Sequence, residues 1–313
     1  MTYSAGSSIL ATDYNSLAGV TASAAASAAA ATKVAGYLWG VGYGDRGYGQ
    51  SSPALTAIAS GTAITASSWT TLRSVLNSIA TQQGSTVTLP AVAAASSAVV
   101  ADVNYSTVLN TLDTNRNIAA AAGMTLTNAA LTITRSTTWG SGNSSIVAVA
   151  SFTFASEDAA RYFFNTGGTL NVVLAHPSTA STQDSNWHTI LSALGTIAFG
   201  THATTRSGSG GTPAALGYYE LTTAYQTIFN GANIGTGSYT ANGVMVEALA
   251  QTITGSNGAK GSVINLRVTL TDGHTNAFSD SVASGTNAQF GFKKATVNVS
   301  GIASPTPATV TSF

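Results

Sequence analysis

Gly42-Tyr43-Gly44-Asp45-Arg46-Gly47 spells GxGxxG, the glycine spacing that lets backbone amides approach a dinucleotide pyrophosphate. That use requires a helix opening at the turn and an acid about 20 residues on for the ribose. Pro53 follows soon after instead, and no Asp or Glu lies between Asp45 and Asp102. The histidines, His176, His188, His202 and His274, have no HExxH or other short paired spacing for a metal, so turn and surface roles are expected of them. No serine sits in a GxSxG nucleophile elbow. The acids of the C-terminal half are Glu157, Asp158, Asp184, Glu220, Glu247, Asp272 and Asp280. Two of them flanking a glycosidic bond would make a glycosidase, and the sequence nominates no pair. Asp272-Gly273 reads as a hairpin turn, because the alternating acids of a calcium loop are missing. The expectation is of no catalytic residue, no cofactor and no metal.

Composition points the same way. Only 7% of the 313 residues are Asp, Glu, Lys or Arg, 11 of each sign, against roughly 25% in ordinary soluble domains. Catalysis needs ionisable groups that converge, and this chain has few to converge. Zero net charge gives no basic footprint for nucleic acid or anionic membrane. Lys293-Lys294 is the nearest thing to a basic cluster, and it reads as a solvated strand end. There is no cysteine, hence no disulfide or thiolate metal site. Met1 to Ala5 lacks the charged and apolar regions of a secretory signal, and the run Ala22 to Ala31 is too short and weakly hydrophobic to span a bilayer. Release by lysis or inside a particle is then the route out of a cell, and the Asn143 and Asn298 sequons carry no meaning without secretion.

Two kinds of element must position these residues. Ile9 to Leu17 matches Ile64 to Leu72 in step, and Val100 to Leu109 echoes both. Each has a Thr, Ser or Asp where an N-cap belongs, then an aromatic three or four positions before Leu, so that both face one side. Trp69, Leu72, Leu76 and Ile79 continue one stripe until Gly84 stops it; Tyr105, Leu109 and Leu112 run likewise toward Gly123. These are short amphipathic helices, and the polar, Ala-rich stretch from Leu89 to Ala98 joins the second to the third. Between the first two, Gly alternates with Tyr37, Trp39, Tyr43 and Tyr48. Such a segment is a loop packed by its own rings or a docking surface. From about residue 126 the period becomes two, in Leu131 to Thr134, Ile146 to Phe154, Leu170 to Leu174, Val263 to Leu270 and Thr296 to Val299. Helical interruptions are expected at Glu157 to Phe164 and around Trp187 to Leu194. The fold class is therefore α+β: a helical region over 1–125, then a β-rich body over 126–313, an antiparallel sandwich.

The most specific segment is Arg161-Tyr162-Phe163-Phe164-Asn165-Thr166-Gly167-Gly168, a short helix, an Asn-x-Gly-Gly turn and the start of a strand. Arg161 is expected to pair with Glu157 one helical turn back, and the Phe pair to plug the end of the sheet. This corner resembles a recurrent segment in tail-fibre-like and other virion structural proteins of tailed bacteriophages, especially cyanophages. The order downstream matches: Asn186-Trp187-His188, Leu194 to Gly200, Gly217 to Phe229, then Tyr239 to Asn242. Gly47 to Gln50 and Ile64 to Leu72 look like the front part of that family. The likeness spans about residues 9 to 270. Gln82-Gln83-Gly84 departs from the more usual His-Gln-Gly.

The resemblance implies a fibre, neck or baseplate appendage outside the capsid shell, made in the host cytoplasm and released by lysis. Its partners would be copies of itself, with a trimer favoured by the fibre likeness, and other virion proteins, with a host surface glycan as a further candidate. Tyr37, Trp39, Tyr43, Tyr48 and Trp69 are the candidate interface, because charge-poor, aromatic surface marks the centre of contacts. Arg161, Phe163, Phe164, Asn165, Gly167 and Gly168 are the structural corner. A tail-associated carbohydrate-binding or depolymerase protein and a capsid-decorating cement protein are the alternatives.

Overall fold

The computed structural model describes residues 11–18, 35–62, 64–90, 102–141, 143–178, 181–274 and 280–313. The Ala-rich run 22–31 and the connection beyond Pro90 lie outside the described residues. Four helices come first: α1 (Ala11–Ala18), α2 (Ala35–Trp39), α3 (Ala66–Gln83) and α4 (Asp102–Thr114). The body follows with β1 (Met124–Thr134), β2 (Ser144–Thr153), α5 (Glu157–Asn165), β3 (Thr169–Ala175), α6 (Thr182–Leu194) and β4 (Thr196–Phe199). After these come β5 (Thr204–Arg206), β6 (Thr212–Pro213), β7 (Gln226–Gly231), β8 (Gly243–Gln251), β9 (Val263–Asp272), β10 (Asn287–Ala295) and β11 (Thr306–Thr311). The protein is α+β, short N-terminal helices ahead of a β-rich, antiparallel, sandwich-like body.

The helix signals act locally as their chemistry dictates. Thr65 caps α3 by accepting from the Ser68 amide at 3.3 Å, and Gly84 ends it in the left-handed region at φ 70°. Trp69, Leu72, Leu76 and Ile79 are buried along one side. The three related segments meet through their aromatics: Tyr14 stands edge-on to Trp69 at 5.4 Å, and Trp69 lies 5.3 Å from Tyr105. Leu17, Leu72 and Leu109 are buried with them. The shared sequence pattern is thus one shared hydrophobic stack. Helix α4 ends at Thr114, well short of Gly123, in a turn where Asn115 and Ile118 bond back to Thr111 and Asn115.

The sheets run β1-β10-β3-β4-β5 and β11-β2-β9-β8-β7-β6, with every pairing antiparallel. Helix α5 carries the chain from β2 in one sheet to β3 in the other. Period-two faces fill the core: Ile264, Leu266, Val268 and Leu270 from β9, Leu170, Val172 and Leu174 from β3, and Ala288, Phe290 and Phe292 from β10. Two expectations change. Thr296 to Val299 is not a strand, and Val297 is 70% exposed. The strand is β10, where Gly291 interrupts the pattern; a side chain there would meet the carbonyls of Thr127 and Asn128 in the bulge of β1. Asp272-Gly273 is no hairpin turn, since Asp272 ends β9 fully buried and β9 pairs with β2 and β8.

The boundary near residue 125 marks where helices give way to strands, but one hydrophobic core spans both parts. A polar seam joins them as well. Gln82 donates to the Thr166 carbonyl at 2.9 Å, Asn298 to the Thr81 carbonyl at 3.2 Å, and Gln50 to the Ser300 carbonyl at 2.9 Å. Residues 126–313 produced alone should therefore lose the single cooperative thermal transition of the full chain. A fragment that melts as sharply and at the same temperature, followed by near-ultraviolet circular dichroism, would show that the body is an independent domain.

Candidate functional site

A chain with so few charges concentrates many of them around one loop, residues 40–49. Helix α5 brings the first. Ser156 caps it, accepting from the Ala159 amide at 3.0 Å, and its inward face buries Arg161, Phe163, Phe164 and Asn165. The fully buried Arg161 guanidinium donates to the carbonyls of Val41 (2.5 Å), Gly44 (3.1 Å) and Arg46 (2.9 Å), and to Asp158 at 3.0 Å. Asn165, one turn on, donates to Gly44 and Gly47 carbonyls, each at 3.0 Å. The Tyr219 hydroxyl lies 2.5 Å from the Gly44 carbonyl and 2.8 Å from Asn165 Oδ1, one proton between two acceptors. Burial pushes that phenol well above its ordinary value.

The loop curls because Gly42 (φ 58°) and Gly47 (φ 104°) take left-handed conformations, and a Cβ on either would strike backbone carbonyls of Arg46 or Val41. Its carbonyls converge inward. That polarity is the reverse of a phosphate cradle, which presents amides to an anion. Here GxGxxG encloses the chain's own cation.

A second tier of charge lies outside the first. Arg46 grips Asp113 through two bonds of 2.6 and 3.0 Å, and Arg116 grips Asp45 at 2.5 and 2.8 Å. His202 places one ring nitrogen 3.1 Å from Asp45 and the other 2.8 Å from Glu220. Burial pushes the Asp45 carboxyl up, but the bonds from His202 and Arg116 outweigh it and hold the group well below the carboxylate range. The Asp45 bond raises the His202 pKa against the opposing effect of burial, and Glu220 adds to it.

The corner is assembled as expected in all but one contact. Phe164 stacks on Tyr218 at 4.5 Å and meets Phe163 edge-on at 5.1 Å, with Phe154 at 5.2 Å from Phe163. Gly167 and Gly168 turn the chain into β3, their amides bonded to Phe164 and Phe163 carbonyls at 2.9 Å. The expected Glu157 partner for Arg161 is replaced by Asp158. Glu157 turns away and accepts from the Thr254 amide at 2.6 Å, the Thr254 hydroxyl at 2.5 Å and the Ser256 amide at 3.1 Å. The reason is availability: those amides have no helical partner, whereas Arg161 is occupied by three carbonyls and Asp158.

The candidate interface needs a larger correction. Tyr37, Trp39, Tyr48 and Trp69 are buried within the chain. Trp39 donates to the Ser52 carbonyl, and the Tyr48 hydroxyl joins the Arg116 carbonyl and Gln83. Tyr43 is half-buried, beside Gly258. The four buried rings pack the inside of the protein and present no docking surface. His176 and His274 are buried rather than at the surface. His176 lies between Asp184 (3.0 Å) and Thr286 (2.9 Å), an in-line hydroxyl, imidazole and carboxylate that no sequence spacing signalled. Thr286 is wholly buried and also accepts from Trp139 at 3.0 Å, so the line is sealed from substrate and serves as a structural brace.

Glu220 and Glu247 do not form one site. Glu247 pairs at 2.6 Å with Arg267, directly across β8 and β9, whose guanidinium lies over the Tyr225 ring, while Glu220 holds His202 and the Gly217 amide. Among the described residues no group of three His, Asp or Glu is arranged to hold a metal, and no helix is long and apolar enough to cross a membrane. Comparison with known proteins adds no relative: no family model, no characterised protein and no solved structure matches this chain.

Arg161→Ala should cost on the order of 2–5 kcal/mol in urea denaturation, because it takes the donor from the Val41 and Arg46 carbonyls, while the Gly44 carbonyl keeps Asn165 and Tyr219 and the part-exposed Asp158 keeps Asn257. Arg161→Lys should recover little, since one ammonium cannot match the guanidinium fork. A loss below about 1 kcal/mol for both would remove Arg161 from its central role.

Proposed function

We propose that this protein is a non-enzymatic structural subunit of a tailed-phage virion, a fibre, neck or baseplate appendage that assembles with copies of itself and with other virion proteins. The observation that carries the reading is a bare sheet rim. Strands β1 and β11 are edge strands of the two sheets and lie against each other. Thr125 to Ala130 are exposed on both faces of β1, and all of β11 except Pro307 is exposed. No Asp, Glu, Lys, Arg or His occurs from Asn117 to Thr134 or from Ala295 to Phe313. Proteins that stay monomeric guard such edges with charge, bulges or proline; here the guards are Pro307 and one bulge in each strand. Leu126, Val297 and Val310 add exposed apolar side chains to the rim, and a 2.7 Å contact between the Thr125 and Thr296 hydroxyls holds the 296–299 segment beside β1.

The rim, not the buried aromatic loop, is then the assembly surface, and a trimer follows from the fibre likeness of the Arg161 to Gly168 corner. One observation favours the carbohydrate-binding alternative. Helix α6 and residues 236–239 border an open groove of about 610 Å³ lined by hydroxyls and an amide, among them Ser185, Asn186, Thr189 and Thr236, with no charged side chain. Neutral sugars suit such a lining.

Light scattering of the full-length protein should give a trimer. Leu126→Lys combined with Val310→Lys should give a monomer with an unchanged melting temperature, since both side chains face solvent in the single chain. A clean monomer of the unaltered protein at high concentration would overturn assembly through the rim. Antibody-labelled particle images should place the protein on the tail, neck or baseplate; label spread over the capsid would select the cement protein, and sugar release from host polysaccharide the depolymerase.

A further inference from the structure

We infer that His202 is a proton-operated latch that fastens the 40–49 loop to the β-rich body, closed when both ring nitrogens carry protons. The geometry itself demands two protons. Nε2 faces Asp45 at 3.1 Å and Nδ1 faces Glu220 at 2.8 Å. A neutral imidazole has one N–H, so one of these contacts would set a ring lone pair against a carboxylate oxygen. Only the imidazolium donates to both.

The two carboxylates belong to different parts of the chain. Asp45 lies in the glycine loop beside the helical region, and Glu220 ends the 3₁₀ turn that begins at Tyr218. His202 itself sits in the turn between β4 and β5, half-exposed, with its ring stacked on Tyr219 at 5.3 Å. The charged groups around it are Asp45 and Glu220 in direct contact, Arg116 and Arg46 on Asp45, and Asp113 behind both arginines. Three carboxylates then face two guanidiniums, and the cluster is neutral only with the imidazolium. The Asn117, Thr169 and Thr205 side of the histidine is uncharged.

Loss of the proton opens the latch on one side. Asp45 keeps Arg116, and Glu220 keeps the Gly217 amide, so each carboxylate retains a partner while the bridge between them is lost. The His202 pKa is raised in the folded chain. The latch therefore contributes its full stability below the unfolded value of about 6.5, and that contribution disappears as pH rises through the folded value. Exposure of the ring screens the effect, so the latch adjusts the loop's hold without governing global folding.

The test is a nitrogen-15 titration of the His202 ring in the full-length protein, together with urea midpoints from pH 5.5 to 9 for the wild type and His202→Gln. The ring should titrate above the ordinary value of about 6.5, with both nitrogens protonated below that midpoint. The midpoint difference between wild type and variant should be largest at low pH and fall to a constant remainder above the folded pKa; differencing cancels the other histidines. Glu220→Gln should lower the His202 pKa measurably while keeping the fold, which preserves the test if His202→Gln does not fold. A ring that titrates at or below about 6.5 in the wild type, or a midpoint difference unchanged with pH, overturns the latch. Neither readout depends on how the protein assembles.

Discussion

A guanidinium with no solvent contact is tolerable only where every N–H finds an acceptor and a negative charge lies close. Arg161 meets that condition with three loop carbonyls and Asp158, and the requirement dictates much around it. The loop must curl so that its carbonyls point inward, which is why left-handed glycines recur at 42, 44, 47 and 49. Helix α5 must start where Ser156 starts it, or Arg161 and Asn165 would not reach the same carbonyls. The aromatic side of α5 must also face the core, and Phe163 and Phe164 are both fully buried there. One helix thus seals the sandwich with its rings and fastens the helical region with its polar groups.

The outer charges extend the same logic. The Arg46 carbonyl is taken by Arg161 while its side chain grips Asp113, so the loop is held from inside by backbone and from outside by ion pairs. Arg116 closes the ring on Asp45 and offers its carbonyl to Tyr48, whose hydroxyl also meets Gln83 of α3. Networks of this kind polarise their members and resist piecemeal loss. In a chain with 11 acidic and 11 basic residues, five carboxylates and three guanidiniums act within this one region.

What was legible in the sequence was whatever a few consecutive residues decide. Thr65 and Gly84 bound α3, and β2 and β9 follow from simple alternation. The helix-turn-strand corner was readable for the same reason. What escaped depends on distant partners. Arg161 meets residues 115 to 120 positions away, and no local rule could prefer them to Glu157. The aromatics from Tyr37 to Tyr48 fit a packed loop and a docking surface equally well, because ring content does not say which side a loop shows. Strand β10 was hidden by Gly291, whose missing side chain is required by the neighbouring bulge rather than by its own strand. The approach of His202 to Asp45 and Glu220 likewise joins positions 157 and 18 residues apart.

Charge placement links this interior to the surface. Gathering so many of the ionisable groups in one intramolecular hub leaves long stretches of surface with none, and the β1 and β11 rim is such a stretch. An uncharged edge has no repulsion to set against a second uncharged edge, and its free N–H and C=O groups gain partners when it meets one. Scattered surface charge would have protected the rim but left the buried carbonyl cradle without its cation. The same scarcity of charge thus locks the interior through a few concentrated polar contacts and leaves the β1 and β11 edges without any.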